Sequence, residues 1–299
     1  MQSVSSKMYL HSLDRKTLAA LKAIPGFDFV LKKFMKTFSE TFFEGVNMST
    51  KILLSPDQLP EIYNLLPPIC SVLDIEEPQF YLEMNPIPNS YTYGDTKVFI
   101  TITSGLVDLL STEELKSVIA HECGHIACHH VLYYTMASIL LNSGTAILGP
   151  NIFTLPLLLA FAKWQRCSEL SADRAAAVYM KGSSQVENTL MRLCGGKNGV
   201  LENINKNVFM EQAKAYKDFL DDSKWNSALQ YFAVALKDHP FAATRALEIR
   251  QWTESTDFTK IIQHMNSEEN KANKKYCSSC GCEVESDFKF CKSCGTKQK

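Results

Sequence analysis

From Cys123 to Ala162 the chain carries no Asp, Glu, Lys or Arg in 40 residues. Charged residues make up 21% of the whole, so a gap of that length must be buried in protein or in lipid. Two continuous apolar pieces lie within it, Val131–Leu141 and Ile152–Ala162, with Asn142-Ser143-Gly144 and Gly149-Pro150-Asn151 as breaks between them. Each piece has 11 residues, whereas a membrane-spanning helix needs roughly 17 to 25. The expectation is a helical hairpin buried in protein or dipping into an interface, which leaves room for peripheral membrane contact through 131–162.

Composition narrows the class further. A chain that is 45% hydrophobic, with 17 Phe, 11 Tyr and 3 Trp, has ample apolar surface to bury, which excludes disorder as its main state. Its 31 basic and 32 acidic residues nearly cancel, so nucleic acid is not an expected partner. The first residues hold no long apolar run and no small-residue cleavage site, so no secretory signal is expected. Of ten cysteines, five crowd into the last 23 residues. The others, Cys70, Cys123, Cys128, Cys167 and Cys194, form no framework, which points to a reducing, cytoplasmic protein with membrane association left open.

Residues 7–44 read as two amphipathic helices parted by Pro25-Gly26, the second (Phe27–Phe43) with a solvated face of Lys32, Lys33 and Lys36. Asp57–Ile75 is helical in pattern but interrupted by Pro67-Pro68. The period then changes: Gln79–Met84 reads as a strand, Asn85–Gly94 as a turn-rich loop and Lys97–Thr103 as a second strand. Ser111-Thr-Glu-Glu114 is a capping box that opens a long helix. The remainder to Trp252 is mostly helical, and Ser267–Lys275 is a polar stretch without apolar anchors, read as a linker.

The chemistry concentrates in His121-Glu122-Cys123-Gly124-His125. Two histidines at i and i+4 lie one turn apart on one helix face, where both imidazoles reach a single tetrahedral Zn2+. Glu122 is placed to take a proton from a water whose pKa the metal lowers from about 15.7 toward 7. Glu169 and Asp173, also at i and i+4, offer a third ligand and a carboxylate to orient a ligating imidazole. His129 falls in the same row. It lies about 12 Å along the axis from His121 and cannot share its metal, so it is expected as a polar residue near the site or a buried hydrogen-bonded one.

These residues resemble those of the HtpX-type and CAAX-prenyl-protease-like zinc metallopeptidases, a branch of the gluzincins. The resemblance runs from about Ser55 to Arg250. Asn85-Pro86 with Asn89-Ser90 is similar to the family's Asn-Pro-x-x-Asn-Ala segment, and Ile100–Leu106 to its edge strand and the turn into the active-site helix. Leu115–His125 and Glu169–Arg174 match the two metal motifs, and His239-Pro240 with Arg245 resembles the late His-Pro-x(4)-Arg segment.

The resemblance implies an α+β, zincin-like and mostly helical metalloprotease domain with a small sheet. His121, His125 and Glu169 would hold a catalytic Zn2+, Glu122 would act as general base and then protonate the leaving amine, and Asp173 would support a ligand. His239 or Arg245 would stabilise the oxyanion. An extended protein or peptide substrate would add to the edge strand 97–103, with Asn89 and Tyr91 lining its approach. Unlike many members, this chain has no clear membrane span before residue 123.

Cys277-x2-Cys280 and Cys291-x2-Cys294, ten residues apart and each pair followed by Gly, resemble a zinc ribbon whose four thiolates hold a structural Zn2+. Cys282 is an extra thiol beside them. The resulting division is a helical segment at 1–50, a zincin-like metallopeptidase domain at 51–255, a linker at 256–275 and a zinc ribbon at 276–299. The leading function is zinc-dependent endopeptidase. Two other readings stay open, a zinc-bound adaptor or chaperone-like binder without turnover and an integral membrane protease.

Overall fold

Three helices open the chain in a computed structural model, which describes residues 2–37, 40–94, 97–148, 154–196, 203–222, 242–272 and scattered positions from 275 to 297. They are α1 (Ser12–Lys22), α2 (Phe27–Thr37) and α3 (Glu40–Thr50). Strand β1 (Ile52–Leu53) and helices α4 (Pro60–Tyr63) and α5 (Leu66–Leu73) follow. Pro67-Pro68 does not interrupt a helix as expected. It sits in the first turn of α5, where the missing N–H groups would have no intrahelical partner anyway.

The sheet differs from the expectation in one respect that matters for function. Strands β2 (Gln79–Glu83), β3 (Ser90–Gly94) and β4 (Val98–Thr103) join β1 in the order β1-β2-β4-β3. β4 pairs in parallel with β2 and antiparallel with β3. The segment 97–103 is therefore a central strand, and the edge strand comes from 90–94, which was expected to be loop. Its pattern hides the fact. Ser90, Thr92 and Gly94 face inward while Tyr91 and Tyr93 are half-buried, so the alternation has period two but its buried members are polar or small. β4, buried on both faces from Phe99 to Thr103, has the run of residues a central strand needs.

Thr103 caps α6 (Ser104–Leu109), and Ser111 then opens α7 (Thr112–Ala127) with the anticipated capping box, its hydroxyl and the Glu114 carboxylate satisfying amides reciprocally. The charge-free stretch folds into α8 (Val131–Leu148) and the first part of α9 (Thr154–Tyr179). Asn142-Ser143-Gly144 does not break α8, which runs through it, whereas Gly149-Pro150-Asn151 lies outside the described residues. Met136, Ala137 and Leu140 of α8 and Leu157, Phe161 and Trp164 of α9 pack with Leu21, Phe27 and Phe34 of α1 and α2 in a satellite cluster. Protein thus covers one side of the hairpin, and among the described residues no helix is long and apolar enough to cross a membrane.

The second half of α9 crosses α7 at very close range. A methyl group added at Gly124 would lie 2.6 Å from Ala175 Cβ and 3.0 Å from Ala172 Cα, so only glycine permits this approach. Helices α10 (Ser184–Gly195), α11 (Lys206–Asp221), α12 (Ala242–Thr253) and α13 (Thr256–Ala272) pack around the pair. The main core joins Phe80, Ile100 and Ile102 of the sheet to Ile119 of α7, Val178 of α9 and Ile249 of α12. α13 corrects the expected linker at 256–275. It is helical through Ala272, and its Phe258, Ile261 and Met265 are buried in that core, because apolar residues at helical spacing precede the polar stretch. A short antiparallel pair, β5 (Lys275–Tyr276) and β6 (Glu283–Val284), follows. The architecture is α+β, mostly helical with one small mixed sheet.

Candidate metal centre

α7 carries His121 and His125 on consecutive turns, and α9 brings Glu169 against them. His121 Nε2 stands 3.4 Å from Glu169 Oε2, and His125 Nε2 stands 3.4 Å from Glu169 Oε1. All three side chains are buried, and their donor atoms lie within 4.8 Å of one another. Ligands placed about 2.1 Å from a tetrahedral Zn2+ are about 3.4 Å apart, so the donor set and its spacing fit one such ion.

Electrostatics favour a cation at this spot. Burial would lower the pKa of His121, but the carboxylates of Asp173 and Glu169 outweigh it and hold the imidazole above its ordinary value. Burial dominates at His125 and lowers its pKa to about 4, which keeps the ring in the neutral form that ligates metal. One turn beyond Glu169, Asp173 Oδ1 accepts a hydrogen bond from His121 Nδ1 at 3.0 Å.

Arg245, from α12, clamps both carboxylates. It donates to Asp173 from Nε at 2.7 Å and from Nη2 at 2.6 Å, and its Nη1 pairs with Glu169 Oε2 at 2.9 Å. Burial would raise the pKa of Asp173; the guanidinium more than offsets this and brings it down to about 2. The arginine itself is raised, its burial outweighed by the two carboxylates.

Glu122 is 1% exposed, and both its oxygens accept hydrogen bonds from the edge strand. Ser90 Oγ donates to Oε1 at 2.7 Å and Thr92 Oγ1 to Oε2 at 2.6 Å. Two cavities flank this strand. One of about 340 Å³ opens beside His121 between Ile87–Ser90 and Val186, Leu190 and Leu193. The other, about 300 Å³, lies between Asn89–Tyr93 and Tyr134, Thr135 and Ser138.

The residues singled out from the sequence fall into three groups. His121, Glu122, His125, Glu169, Asp173 and Arg245 converge, with Arg245 on the two carboxylates and also lining the first cavity. Asn89 lines both cavities. Tyr91 lines the second cavity, with its hydroxyl on Glu83 and its ring beneath Lys51 Nζ. His129 is exposed. It occupies the left-handed position, φ 57°, that ends α7. His239, Cys277, Cys280 and Cys291 lie outside the described residues, and Cys294 is exposed with its thiol on Thr296.

Sequence reading missed Ser90 and Thr92, which act through a strand it took for a loop, and Tyr134, whose hydroxyl is 3.4 Å from Glu169 Oε1. It also missed His130 and Asp14, which stand behind His125. An i, i+2 pair of hydroxyls facing the helix motif is the signal that was available for the first two.

Comparison with known proteins agrees with this geometry. Residues 60–253 match the family model described as peptidase family M48. The chain is 31% identical over 261 residues to the plastoglobule-localized metallopeptidase 48, chloroplastic, of Arabidopsis thaliana, a match covering 86% of this chain and 76% of that one. It is 25% identical over 170 residues to protease HtpX homolog 2 of Methanosarcina mazei, covering 48% and 58%. With the protease HtpX homolog of Moorella thermoacetica it shares 21% over 229 residues, covering 66% and 74%. No solved structure gives a significant match.

Proposed function

The chain belongs to peptidase family M48, whose metallopeptidases are zinc-dependent, and on that premise we propose a zincin-like metalloendopeptidase whose zinc is held by His121, His125 and Glu169. When bound, the ion supplies Lewis acidity that polarises a substrate carbonyl and acidifies a coordinated water. The observation that carries the reading is the convergence of two imidazoles and one carboxylate at tetrahedral spacing, with Glu122 adjoining them on α7.

Each protein group then has a task. Glu122 takes the proton of the attacking water and delivers it to the leaving amine, with Ser90 and Thr92 fixing the plane of its carboxylate. Asp173 holds the Nδ1 proton of His121, so that Nε2 faces the metal position. Arg245 is a positioning residue that sets the two α9 carboxylates. Of the two residues expected to stabilise the oxyanion, His239 and Arg245, we favour His239, since the Arg245 guanidinium is engaged by Asp173 and Glu169.

An extended peptide adds to β3, with neighbouring side chains in the two cavities on either side of Asn89. Tyr91, tied to Glu83 and Lys51, lines the second of these cavities with Asn89. We assign Cys277, Cys280, Cys291 and Cys294 to a structural zinc, supported by the β5–β6 pair and the Phe290–Lys297 bridge around them. The free, buried thiols of Cys70, Cys123 and Cys128 support a reducing, cytoplasmic setting. Peripheral lipid contact through 131–162 has the support of Leu159, 40% exposed on α9.

Glu122→Gln tests the reading. The variant should bind as much zinc as the parent, two ions per chain, while cleavage of an unfolded protein falls by at least about a thousandfold. Full cleavage by this variant would end the general-base assignment.

A further inference from the structure

Behind His125 the structure places a chain of buried polar groups. His125 Nδ1 is 3.1 Å from His130 Nδ1, and His130 Nε2 is 2.8 Å from Asp14 Oδ2. Asp14 is 1% exposed and His130 fully buried. The carboxylate is further fixed by Trp164, whose indole N–H donates to Oδ1 at 3.1 Å, and by Ser171, whose hydroxyl donates to Oδ2 at 2.6 Å. Asp14 belongs to α1, outside the residues 60–253 that match the family model.

The way α7 ends brings His130 there. His129 adopts the left-handed conformation, so the His129 amide bonds Ile126 O at 3.0 Å and the His130 amide bonds His125 O at 2.9 Å. This pair of bonds is the Schellman closure of a helix. It folds residue 130 back over the last turn and sets its ring against the one it must support.

We propose that His130 and Asp14 are positioning residues for the metal ligand His125, joined to it as an imidazole–imidazole–carboxylate chain. The inference rests on the reading of His125 as a ligand. Its Nε2 faces Glu169 and is given to the metal, so its ring proton sits on Nδ1. His130 must then accept at Nδ1, which puts its own proton on Nε2, where Asp14 accepts it. Every donor in the chain has an acceptor, and the chain closes on a carboxylate. Each imidazole ligand thus has a carboxylate behind it. Asp173 serves His121 directly, and Asp14 serves His125 through His130. Such partners fix the tautomer and the ring plane and raise ligand basicity.

A network that merely pinned α1 to α9 would support the fold and leave metal affinity alone, and a metal titration separates the two. The full-length chain is loaded with 113Cd2+, whose resonance in a nitrogen–oxygen site lies far from that of thiolate-bound cadmium, and the occupancy of the site is followed against graded EDTA. Asp14→Asn and His130→Leu should each weaken the site about 10- to 100-fold. His130→Asn, which keeps an acceptor for His125 but cannot reach Asp14, should fall between them and the parent. Leu21→Ala, a packing change in the satellite cluster, should lower the melting temperature yet hold cadmium as the parent does. Parent-like affinity in both Asp14→Asn and His130→Leu, or an equal loss in Leu21→Ala, would overturn the proposal. A parent chain with no nitrogen–oxygen resonance would overturn the metal-site reading and this proposal with it.

Discussion

Glu122 owes its orientation to two hydroxyls, and those hydroxyls come from a strand whose sequence looks like a turn. Ser90 and Thr92 each donate to one carboxylate oxygen. A hydrogen bond to a charged group is worth about 1.5–3 kcal/mol, and about 1.4 kcal/mol is a factor of ten in rate. Ser90→Ala and Thr92→Val should therefore each lower kcat about tenfold while KM and zinc content stay near the parent's, as steady-state kinetics and metal analysis would show; an unchanged kcat would remove both from the machinery. The convergence of His121, His125, Glu169 and Asp173 was legible because side chains at i and i+4 share one helix face. Ser90, His130 and Asp14 were not, since a hydroxyl, an imidazole or a carboxylate that acts through another side chain can come from any element the fold delivers. Arg245 was named from a spacing motif, which does not show that its guanidinium holds Asp173 and Glu169.

The helices α7 and α9 work as one element, and Gly124 sets their separation. Its absent Cβ leaves room for Ala172 and Ala175, which places Glu169 level with the two histidines. Gly124→Val would force the helices apart. Overpacking of this kind costs about 1–3 kcal/mol, so the variant should melt several degrees lower and hold zinc far more weakly, both measurable by calorimetry and chelator titration. Retained affinity would show that the ligand geometry tolerates a wider crossing. At this scale the sequence spoke clearly where periodicity or capping chemistry was strong, as in the Ser111 box and the apolar hairpin. It misled where a polar strand mimics a loop, at 90–94, and where helix α13 runs on through residues that lack apolar anchors. Proline misled for a different reason, since Pro67-Pro68 is compatible with a first turn and only its setting shows that it lies there.

Across the whole molecule, Glu187 ties three helices together. It is 2% exposed and accepts from Arg250 at 2.6 Å and 3.1 Å, with Lys206 Nζ 3.0 Å away. Burial would raise its pKa, but these bonds outweigh it and hold the group below its ordinary 4.5. A folded-state value below the unfolded one means the contribution is complete above about pH 4.5 and disappears as the pH falls through the lower folded value. Unfolding free energy should accordingly decline with acid in that window, and Glu187→Gln should flatten the slope; a parallel profile in the variant would dismiss the residue as a source. The hairpin shows the same dependence of parts on the whole. Its lack of charge was plain in the sequence, whereas its cover, the helices α1 and α2, emerges only from tertiary packing. That cover has a further consequence. Because Asp14 stands on the first long helix, a proteolytic nick or an engineered truncation just past residue 14 would spare every motif residue and still leave one imidazole unbraced. Preparations trimmed in this way would look intact by motif and mass of the catalytic unit while losing their metal to dilute chelators.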